Sequence, residues 1–336
     1  MKKRLRVLQF GLGAMGSKMV EMILKKEDLE LVGAVVKPEK DGRDIGELLG
    51  WKKKIGIKGH TAPDAFRNLD ADIMLHAAVS HVPDVWKQIR GAVHARINII
   101  TIAEEMGFPF VKYPKLCEEM DDAAKLHGIS ILGSGINPGF AMDLLPLTLT
   151  GILHSVKKIK VTRLVDFSPF GPAIQKNIGI GFTPVEFRNG IKEGSMPGHI
   201  GLSESAHMIA HALGWKLDKL KETKVPVIAK KSIHVHNYKT VKPGQVAGFD
   251  QRLFAFEKGK LRIVLEELGR VDPEIEYKNI IQIDGYPSLV EWMSVPTGKL
   301  TTTAHAVNLL PVVYNASPGL LTMLDLPVAH ALKDRK

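Results

Sequence analysis

The stretch VLQFGLGAMGSKMVEMI, residues 7–23, decides the fold of the first half of the chain. Its apolar start is typical of a buried strand, its end has the spacing of a helix, and Gly11, Gly13 and Gly16 stand between the two. Glycines at these positions permit a tight turn, a close approach of the backbone to a ligand and close packing of helix on strand. Because the first N–H groups of a helix are free and carry the positive end of its dipole, the stretch predicts a site for the pyrophosphate of a dinucleotide. A glycine turn without a ligand is the alternative.

Strand and helix patterns alternate along the first 145 residues. Helical patterns, for example at residues 80–95, separate a series of apolar runs. The runs that predict further strands lie at residues 31–36, 73–78, 97–102 and 129–132. Continuous apolar strands joined through helices indicate a parallel sheet that is covered on both faces. We therefore predict the α/β fold class, with an N-terminal Rossmann domain over residues 1–145.

The pattern changes after about residue 150. One helical pattern lies at residues 203–215, among stretches in which apolar and polar residues alternate. The alternating stretches are residues 155–167, 229–241, 246–268 and 276–285. Alternation is typical of strands with one solvated face, so residues 146–300 are predicted to form an α+β domain with a mixed or antiparallel sheet. The tail, residues 301–336, is predicted to return to the first domain as a helix followed by an ordered loop. We expect the second domain to supply most substrate contacts and the interface of a homodimer.

Composition narrows the classes of function. With 336 residues, 45% of them hydrophobic and 24% charged, the chain has the length and balance of an ordinary globular protein of about two domains. No apolar run approaches the ~18 residues that cross a bilayer, and the basic start MKKRLR leads to no signal-peptide cleavage site. The net charge of +10 comes from dispersed lysines without aromatic neighbours, which favours a solvated surface over a nucleic-acid site. We expect neither a membrane nor a nucleic acid as partner.

Cys117 is the only cysteine, so no disulfide can form within the chain, which fits a cytoplasmic protein. It lies in an amphipathic helical pattern, away from any loop or helix start that would make the thiol reactive. A packed thiol is therefore predicted, rather than a nucleophile.

The end of the second predicted strand bears on the choice between NAD and NADP. Sites that prefer NAD place Asp or Glu about 20 residues after the glycines to bind the ribose. This chain has Lys37 there, and Glu39 follows. Lys37 could bind the 2′-phosphate of NADP, Glu39 could reach the ribose of NAD, and a lysine without a role is equally consistent. The expected cofactor is thus NADP or NAD. The residues expected to contact it are Gly11, Leu12, Gly13, Ala14, Met15, Gly16, Lys37, Ala77, Ala78, Thr101, Ala103 and Asn137.

Glu104 and Glu105 directly follow the predicted strand at residues 97–102. Ligands of such sheets lie beyond the carboxyl ends of the strands, so these acids are expected near the nicotinamide. A carboxylate there could take the proton from a substrate ammonium, because only the free amine can release hydride from its carbon. Adjacent side chains in a loop diverge, so one acid is expected to be catalytic and the other structural. The alternative is that both acids only cap the loop.

The loop GSGINPGFAMD, residues 133–143, follows the last predicted strand of the first domain. Asn137 is predicted to cap a helix in which Pro138 takes the first position, and its amide suits the carboxamide of nicotinamide. Gly133, Gly135 and Gly139 would let the loop approach a flat ring closely.

Six motifs, taken together and in order, resemble the 2,4-diaminopentanoate dehydrogenases and the related native amine dehydrogenases. They are GLGAMG, TIAEEMGFP, GSGINPGFAMDLLP, NIGIGFTPVEF, GHIGLSES and VNLLPVVYNASPGL. Both groups resemble dihydrodipicolinate reductase in architecture. The resemblance implies an NAD(P)-dependent oxidoreductase that acts on CH–NH2 donors. It would deaminate 2,4-diaminopentanoate to 2-amino-4-oxopentanoate and ammonia, and in reverse carry out reductive amination. It also implies that the catalytic residue is Glu104 or Glu105.

A diamino acid needs a cation for its carboxylate and acceptors for its amines. The residues expected to line its site are Phe140, Arg163, Asp166, Lys176 and His199. For Arg163 and Asp166 the alternative is an ion pair on the surface.

No metal is predicted. His207 and His211 lie four residues apart, as zinc ligands on a helix do, but Met208 stands where metalloproteases carry a glutamate. Packing and hydrogen bonding of the two histidines are therefore the expectation.

Three other functions stay open. The first is an amine dehydrogenase that acts on simple ketones or aldehydes. The second is a reductase like dihydrodipicolinate reductase, which the chain fits less well because those enzymes carry adjacent histidines in the second domain and this sequence has no such pair. The third, outside enzymes, is a binding protein that senses nicotinamide nucleotides; the pair Glu104–Glu105 favours an enzyme.

Overall fold

The computed structural model describes residues 4–235, 238–271, 277–294 and 298–335. The chain divides into two units, the first formed by Met1–Phe140 with Gly298–Lys336 and the second by Ala141–Thr297. The sequence analysis placed the two junctions at residues 145 and 300. Within the described residues, no helix is both long and apolar enough to cross a bilayer.

The helices and strands follow one another in both units. The strands are β1 (Leu5–Phe10), β2 (Leu29–Val35), β3 (Gly59–His60), β4 (Ile73–His76), β5 (Asn98–Thr101), β6 (Ser130–Gly133), β7 (Ser155–Asp166), β8 (Lys219–Ile228), β9 (Ile233–His234), β10 (Thr240–Val241), β11 (Val246–Glu257), β12 (Lys260–Arg270), β13 (Lys278–Tyr286), β14 (Leu289–Ser294) and β15 (Gly319–Leu321). The α-helices are α1 (Ala14–Ile23), α2 (Ile45–Leu48), α3 (Ala62–Asn68), α4 (Val82–His94), α5 (Pro114–His127), α6 (Leu144–Thr150), α7 (Pro172–Asn177), α8 (Pro184–Glu193), α9 (Leu202–Ala212), α10 (Gly298–Asn308) and α11 (Leu310–Tyr314). Three 3-10 helices span Pro38–Lys40, Glu104–Gly107 and Met323–Asp325.

The first unit contains a parallel sheet of seven strands in the order β15-β6-β5-β4-β1-β2-β3. The α/β fold class is thereby confirmed. The strand order reverses at β1, with β4 on one side and β2 on the other. Open parallel sheets bind ligands at such a switch point, beyond the carboxyl ends of the strands. Gly11 follows β1 and Ala77 follows β4, so the glycine turn lies at this point of the sheet.

Apolar side chains hold the helices of the first unit on its sheet. Leu8, Met74 and Ile99 of the sheet share a buried cluster with Ile89 of α4 and Met120 of α5. Cys117 belongs to the same cluster and is 3% exposed, and burial raises the pKa of its thiol to about 11. The prediction of a packed, unreactive thiol is confirmed.

The tail is more regular than predicted. Residues 301–327 form α10, α11 and then β15, which pairs in parallel with β6 at the edge of the sheet. The expectation of an ordered loop after the helix was therefore wrong for Gly319–Leu321. Three residues are too few to show a periodic pattern, and it is the unpaired edge of β6 that gives them their partner.

The second unit contains a sheet of six strands in the order β14-β13-β7-β12-β11-β8. β12 runs parallel to β7, and the other neighbouring pairs are antiparallel, which makes the sheet mixed. Helix α9 packs on one face, where Leu202, Ala206 and Ile209 join apolar residues of the strands. The strand predicted over residues 229–241 is largely absent. Only β9 and β10 form there, and they pair with each other rather than with the six-stranded sheet; residues 236 and 237 lie outside the described part.

Candidate active site

The glycine turn between β1 and α1 has the geometry that a pyrophosphate needs. Gly11 has φ +88°, and a Cβ there would come within 2.8 Å of the carbonyl oxygen of Ala77. A Cβ on Gly16 would overlap the carbonyl oxygen of Gly11, so this glycine allows α1 to pack directly on the turn. At Gly13, by contrast, a Cβ would meet nothing within 4 Å. The space in front of Gly13 is therefore open, as expected where a ligand approaches the backbone.

The start of α1 supplies the donors for this space. The helix has ten residues, its N-cap is Gly13, and no side chain caps its first N–H groups. The first helical hydrogen bond runs from Ser17 N–H to Gly13 O at 2.9 Å, so the N–H groups of Ala14, Met15 and Gly16 remain for an anion. Together with the open space at Gly13, these groups fit a dinucleotide.

Gln9 supports the turn, and sequence reasoning missed it. Its side chain is fully buried, and Nε2 donates to the carbonyl oxygens of Phe10 and Gly11 at 3.2 and 3.1 Å. The signal was available, because a glutamine inside an apolar run must satisfy its amide in the interior.

The residues after β2 form a basic segment. Lys37 is exposed and directly precedes the 3-10 helix Pro38–Lys40. No described residue forms an ion pair with Lys37, Lys40 or Arg43, so three cations lie unpaired after this strand. Glu39 is exposed beside them. The segment thus offers three cations, interspersed with the carboxylates of Glu39 and Asp41, at the carboxyl end of β2.

A buried polar network links the ends of β4 and β5. His76 is fully buried, and its ring nitrogens lie 2.8 Å from Thr101 Oγ1 and 2.8 Å from Gln88 Oε1. Burial lowers the pKa of His76, with the bond to Gln88 opposing it, so the ring is neutral at pH 7. The amide oxygen of Gln88 accepts from Nε2, which leaves Nδ1 to accept from Thr101. Thr101 Oγ1 in turn accepts from Ala103 N–H at 3.2 Å.

Four predicted cofactor contacts lie at the ends of β4 and β5, and they differ in exposure: Thr101 and Ala103 are more buried than Ala77 and Ala78. Thr101 is fully buried and Ala103 is 2% exposed, so both support the loop before Glu104 from within the unit. Ala77 is half-buried and Ala78 is exposed after β4. Of these four predicted contacts, the two alanines are therefore the ones accessible to a cofactor.

Glu105 is held in place by its neighbours. It is 2% exposed, and its carboxylate accepts from Val82 N–H at 3.0 Å, at the start of α4. It also pairs with Lys112 and with His81, whose Nδ1 lies 3.1 Å away. Burial would raise the pKa of the Glu105 carboxyl, but the hydrogen bonds, that from Lys112 foremost, outweigh it and keep the pKa below its usual value. A carboxylate with a lowered pKa and three partners is a poor proton acceptor.

Glu104 differs from Glu105 both in its burial and in its contacts. It is the first residue of the 3-10 helix Glu104–Gly107 and is half-buried. Its carboxylate forms no hydrogen bond or ion pair with the residues that the structure describes. Of the two acids, Glu104 is thus the one available to a substrate.

The structure of the loop after β6 contradicts the prediction that Asn137 caps a helix. Asn137 does not cap a helix: residues 137–140 form turns, and the next helix, α6, begins at Leu144 with Asp143 as its N-cap. Gly139 explains the difference, because its φ of +122° lies outside the helical region and a Cβ there would come within 2.5 Å of Ser134 Oγ. Asn137 is buried at 6% exposure. The half-buried ring of Phe140 lies 5.3 Å from that of His305, both in the first unit.

A row of polar side chains crosses the sheet of the second unit. Asn279, Arg163, Glu267 and Gln251 face one another in register on four neighbouring strands. They are 0%, 6%, 4% and 0% exposed, respectively. Because side chains alternate along a strand, all four share a face with the apolar residues two positions away, such as Val161. The row is therefore a polar band within an apolar face.

Two groups in this row lack partners. Arg163 forms no hydrogen bond or ion pair with the described residues, although it is 94% buried by its neighbours, with 6% exposed. Asn279 Nδ2 donates to Ala141 O at 2.7 Å, but its Oδ1 accepts from no group that the structure describes. Arg163 lies in register between Asn279 and the buried carboxylate of Glu267 on the two neighbouring strands.

His199 adjoins this row. Its Nδ1 lies 3.6 Å from Glu267 Oε1, and its backbone is held by both ends of the Gln251 amide, with Gln251 Oε1 accepting at 2.9 Å and Nε2 donating at 2.7 Å. The structure thus brings together Arg163 and His199 of the predicted substrate residues. It adds Gln251, Glu267 and Asn279, which sequence reasoning missed.

The other two predicted substrate residues of the second unit lie elsewhere. Asp166 is buried at the end of β7, where its Oδ1 accepts from Ser168 N–H at 2.8 Å and its carbonyl oxygen accepts from the Tyr277 hydroxyl at 2.7 Å. Lys176 is exposed in the last turn of α7. Lys176 has no described contact with the polar row, whereas Tyr277, which donates to Asp166, also lies within electrostatic reach of Arg163. Arg163 and Asp166, both buried, are not the surface ion pair that was the alternative.

Of the two histidines of α9, His207 is half-buried and His211 is exposed. His207 Nδ1 lies 2.8 Å from Ser203 O, and burial lowers the pKa of the ring. Among the described residues, no three His, Cys, Asp or Glu side chains are grouped so as to hold a metal ion.

Comparisons with known proteins cover nearly all of the chain. The profile of the 2,4-diaminopentanoate dehydrogenase C-terminal domain matches residues 140–336, and that of the dihydrodipicolinate reductase N-terminus matches residues 5–89. The 2,4-diaminopentanoate dehydrogenase of Acetoanaerobium sticklandii is 36% identical over 341 residues, which cover 98% of this chain and 95% of that protein.

Two amine dehydrogenases are more distant relatives. The amine dehydrogenase of Streptomyces virginiae is 22% identical, with 96% of each chain covered. The solved structure of the amine dehydrogenase from Mycobacterium smegmatis is 27% identical and superimposes with a TM-score of 0.86 over 97% of each chain.

Proposed function

Because the chain belongs to the 2,4-diaminopentanoate dehydrogenase family, we propose that it is an NAD(P)-dependent amine dehydrogenase that deaminates 2,4-diaminopentanoate at C4. The products are 2-amino-4-oxopentanoate and ammonia, and reductive amination of the ketone is the reverse reaction. One observation carries the proposal beyond family membership: an accessible carboxylate, Glu104, lies at the carboxyl end of β5 beside an immobilised one, Glu105.

Glu104 is the base in this proposal. An alkyl ammonium has a pKa near that of lysine, about 10.4, so the substrate reaches the enzyme protonated and without the lone pair that drives hydride from its carbon. Glu104 takes one proton from the C4 ammonium, and when bound, the nicotinamide accepts the hydride. Glu104 then gives this proton to solvent, takes one from the water that adds to the iminium carbon and returns it to the nitrogen. The C–N bond breaks, ammonia leaves, and the hydroxyl loses its proton as the ketone forms. Glu105 positions the 3-10 helix that carries Glu104.

The cofactor is a nicotinamide dinucleotide, and we propose NADP as the preferred one, with NAD tolerated. The open space at Gly13 and the free N–H groups of α1 would hold the pyrophosphate. Lys37, Lys40 and Arg43 would face the 2′-phosphate, for which the chain offers three cations without ion-pair partners among the described residues. Ala77, Ala78 and Asn137 remain proposed contacts.

In this proposal, the guanidinium of Arg163 binds the carboxylate of the substrate. The guanidinium is buried and forms no hydrogen bond or ion pair with the described residues, which supports a role in binding an anionic group of a ligand. This favours a carboxylate-bearing substrate over simple ketones or aldehydes, the alternative amine-dehydrogenase function. His199 stays a proposed substrate contact beside Glu267.

We also propose that the protein works as a cytoplasmic homodimer. The lone cysteine supports the reducing compartment. On β14, Val290 and Trp292 share one face of the strand and are 67% and 64% exposed. Large exposed apolar side chains on a sheet edge mark contact surfaces, and a second copy of the chain is the proposed partner.

The proposal is tested by replacing Glu104 with glutamine. The amide keeps the shape but cannot hold the proton, so turnover of 2,4-diaminopentanoate should fall by ~10²–10⁴-fold while the Kd for NADP stays unchanged. Formation of NADPH, followed by absorbance, and cofactor titration by fluorescence measure the two quantities. Wild-type protein that binds NADP but reduces it with no amine would instead support a nucleotide-sensing protein.

A further inference from the structure

One buried histidine links the glycine turn to the loop that carries Glu104, and both features belong to the first unit. His76 is the last residue of β4 and lies in register between Phe10, the last residue of β1, and Thr101, the last residue of β5. Its ring centroid is 4.9 Å from that of Phe10, and its Nδ1 is 2.8 Å from Thr101 Oγ1. Gly11 follows Phe10 directly. The strand before the glycine turn and the strand before Glu104 are thus joined through this ring.

The partners of His76 determine the direction of each hydrogen bond. Gln88 Oε1 can only accept, so the ring carries its proton on Nε2. Nδ1 is then an acceptor, and it takes the proton of the Thr101 hydroxyl. The hydroxyl oxygen keeps its lone pairs, one of which accepts from Ala103 N–H at 3.2 Å. With the Gln88 amide reversed, the ring would donate to Thr101, and the hydroxyl proton would have no acceptor among the described residues.

Ala103 is the residue at which this network reaches the 3-10 helix Glu104–Gly107. It is the N-cap of that helix, which no side chain caps. The carbonyl oxygen of Ala103 accepts from Met106 N–H at 3.0 Å, which is a hydrogen bond of the helix, while its N–H is held by Thr101. Both backbone groups of Ala103 are therefore fixed. Because Glu104 follows directly, the place of its carboxylate depends on where this helix starts.

The network is closed to solvent. Thr101 and His76 are both 0% exposed, and Ala103 is 2% exposed. Without the Thr101 hydroxyl, His76 Nδ1 and Ala103 N–H would each stay buried and lose their hydrogen bond, which costs free energy. A shift of the loop would recover part of this free energy. The hydroxyl is therefore expected to hold the loop in its present conformation.

We propose that Thr101 positions the base of the reaction. Its hydroxyl, oriented by His76, holds Ala103, and this sets the place of the Glu104 carboxylate relative to the glycine turn. The proposal rests on the proposed function, in which Glu104 takes the proton from the amine. Proton and hydride leave neighbouring atoms of one substrate, so base and nicotinamide must keep a fixed separation, and a displacement of about 1 Å can cost about 100-fold in rate. In this role Thr101 acts through Ala103 rather than by touching the cofactor.

Thr101→Val tests the role of the hydroxyl, because valine keeps the branched shape and removes the hydrogen bonds. With 2,4-diaminopentanoate and NADP, kcat should fall by about 10- to 100-fold, while the Kd for NADP stays within a few-fold of wild type. Thr101→Ser keeps the hydroxyl and should recover most of kcat. An unchanged kcat in Thr101→Val, or a loss of NADP binding in its place, would overturn the proposal.

A second substitution distinguishes positioning of the base from stabilisation of the fold. In Glu104→Gln the base is already lost, so adding Thr101→Val should lower the remaining kcat by less than about threefold. A threonine that only stabilises the fold would cost the same factor with either residue at position 104. Equal factors in the two backgrounds would therefore contradict the positioning role.

Ser130→Ala is the matched control. Ser130 lies on β6 of the same sheet and is 1% exposed, and its hydroxyl donates to Ser317 O at 3.0 Å. It is the first residue of its strand, whereas Thr101 is the last residue of the parallel neighbour β5, so the two hydroxyls lie at opposite ends of the strands. The control thus loses a buried hydroxyl away from the loop of Glu104. Its kcat should stay within a few-fold of wild type, and thermal unfolding checks that every variant is folded.

Amide hydrogen exchange at Ala103, followed by NMR, reports on the same contact without turnover. In Thr101→Val the Ala103 amide should exchange at least about 10-fold faster than in wild type, whereas Thr101→Ser and Ser130→Ala should change its rate little. An unchanged rate in Thr101→Val would overturn the proposal. If wild type oxidises no amine but this rate rises, the proposed function fails and the hold of Thr101 on the loop stands.

Discussion

At the scale of single residues, the neighbouring Glu104 and Glu105 have different proposed roles. The sequence predicted that one would be catalytic and one structural, because adjacent side chains in a loop diverge. It could not say which, because the partners of Glu105 come from distant positions: Val82 and His81 at the start of α4, and Lys112 after the 3-10 helix. Only the folded chain brings them together.

Glu105→Gln should destabilise the protein rather than abolish its chemistry. The pKa of Glu105 is lowered in the folded state, so its contribution to stability is present above the ordinary glutamate pKa, about 4.3, and is lost as the pH falls through the lowered value. The variant should lose roughly 1–3 kcal/mol at pH 7 and show a flatter fall in stability below pH 5. Urea unfolding between pH 3 and 7 measures both. A variant as stable as wild type at pH 7 would show that the contacts of Glu105 contribute nothing.

Lys37→Asp tests the cofactor preference. If the ammonium pairs with the 2′-phosphate, the variant should lose roughly 1.5–3 kcal/mol of NADP binding, about one to two decades in Kd, while NAD binding is kept or improved. Fluorescence titration with both cofactors measures the change. Lys53→Asp, at another exposed lysine of the first unit, is the control and should alter neither Kd. Equal losses for NADP and NAD in Lys37→Asp would contradict the assignment.

At the scale of elements, the glycine turn and α1 were predicted from sequence and the loop after β6 was not. The signal for the turn is local, because three glycines between a strand pattern and a helix pattern suffice to predict it. At Asn137 the local signal favoured a helix start, but Gly139 has a positive φ that a helix does not allow, and Ser134 and Gly135 leave no room for a side chain at that position. Local capping rules cannot see such a contact.

At helix α8 the sequence does contain a clear signal for a helix start, but the sequence analysis did not use it. Thr183 Oγ1 accepts from Glu186 N–H at 3.2 Å, and the Glu186 side chain accepts from Thr183 N–H at 2.7 Å, with Pro184 in the first turn. This capping box is legible in the letters TPVE. The polar row is legible in the same way: Arg163, Gln251, Glu267 and Asn279 each interrupt an apolar alternation in phase. A polar residue in phase with the buried face is a signal of a site, whereas one out of phase is ordinary surface.

Gly13→Val tests the turn itself. Since a Cβ at Gly13 meets nothing within 4 Å and its φ is −74°, valine should fit the unliganded protein without strain. It would occupy the space of the pyrophosphate, so NADP and NAD binding should both fall below detection while the thermal midpoint stays within a few degrees. Calorimetry and circular dichroism measure the two properties. Unchanged cofactor affinity in folded protein would remove the basis for the dinucleotide site.

At the scale of the whole molecule, the chain builds one unit from two separate segments. The tail adds β15 to the parallel sheet, so the first unit is complete only after the second has been made. Alternating patterns predicted both units. In the six-stranded sheet of the second unit, the one parallel pair, β7 with β12, is a property of strand order, which no stretch of sequence shows by itself.

Trp292→Glu tests the proposed homodimer. The side chain is 64% exposed, so the change should cost the isolated chain little. In a dimer that buries it, a loss of about 2 kcal/mol or more is typical, which is roughly a 30-fold weaker association. Sedimentation velocity over a range of concentrations measures this, with Leu126→Glu, at a position that is 81% exposed on α5, as control. Wild-type protein that sediments as a monomer at every concentration would contradict the dimer.

The central claim is oxidative deamination, and product stoichiometry tests it most directly. Wild-type protein, NADP in excess and a limiting amount of 2,4-diaminopentanoate should yield NADPH, ammonia and 2-amino-4-oxopentanoate in equal amounts when ammonia is removed as it forms. Absorbance measures the first, an enzymatic ammonia assay the second and mass spectrometry the third. Reduced cofactor without ammonia, or no reduction with either NADP or NAD, would contradict the account.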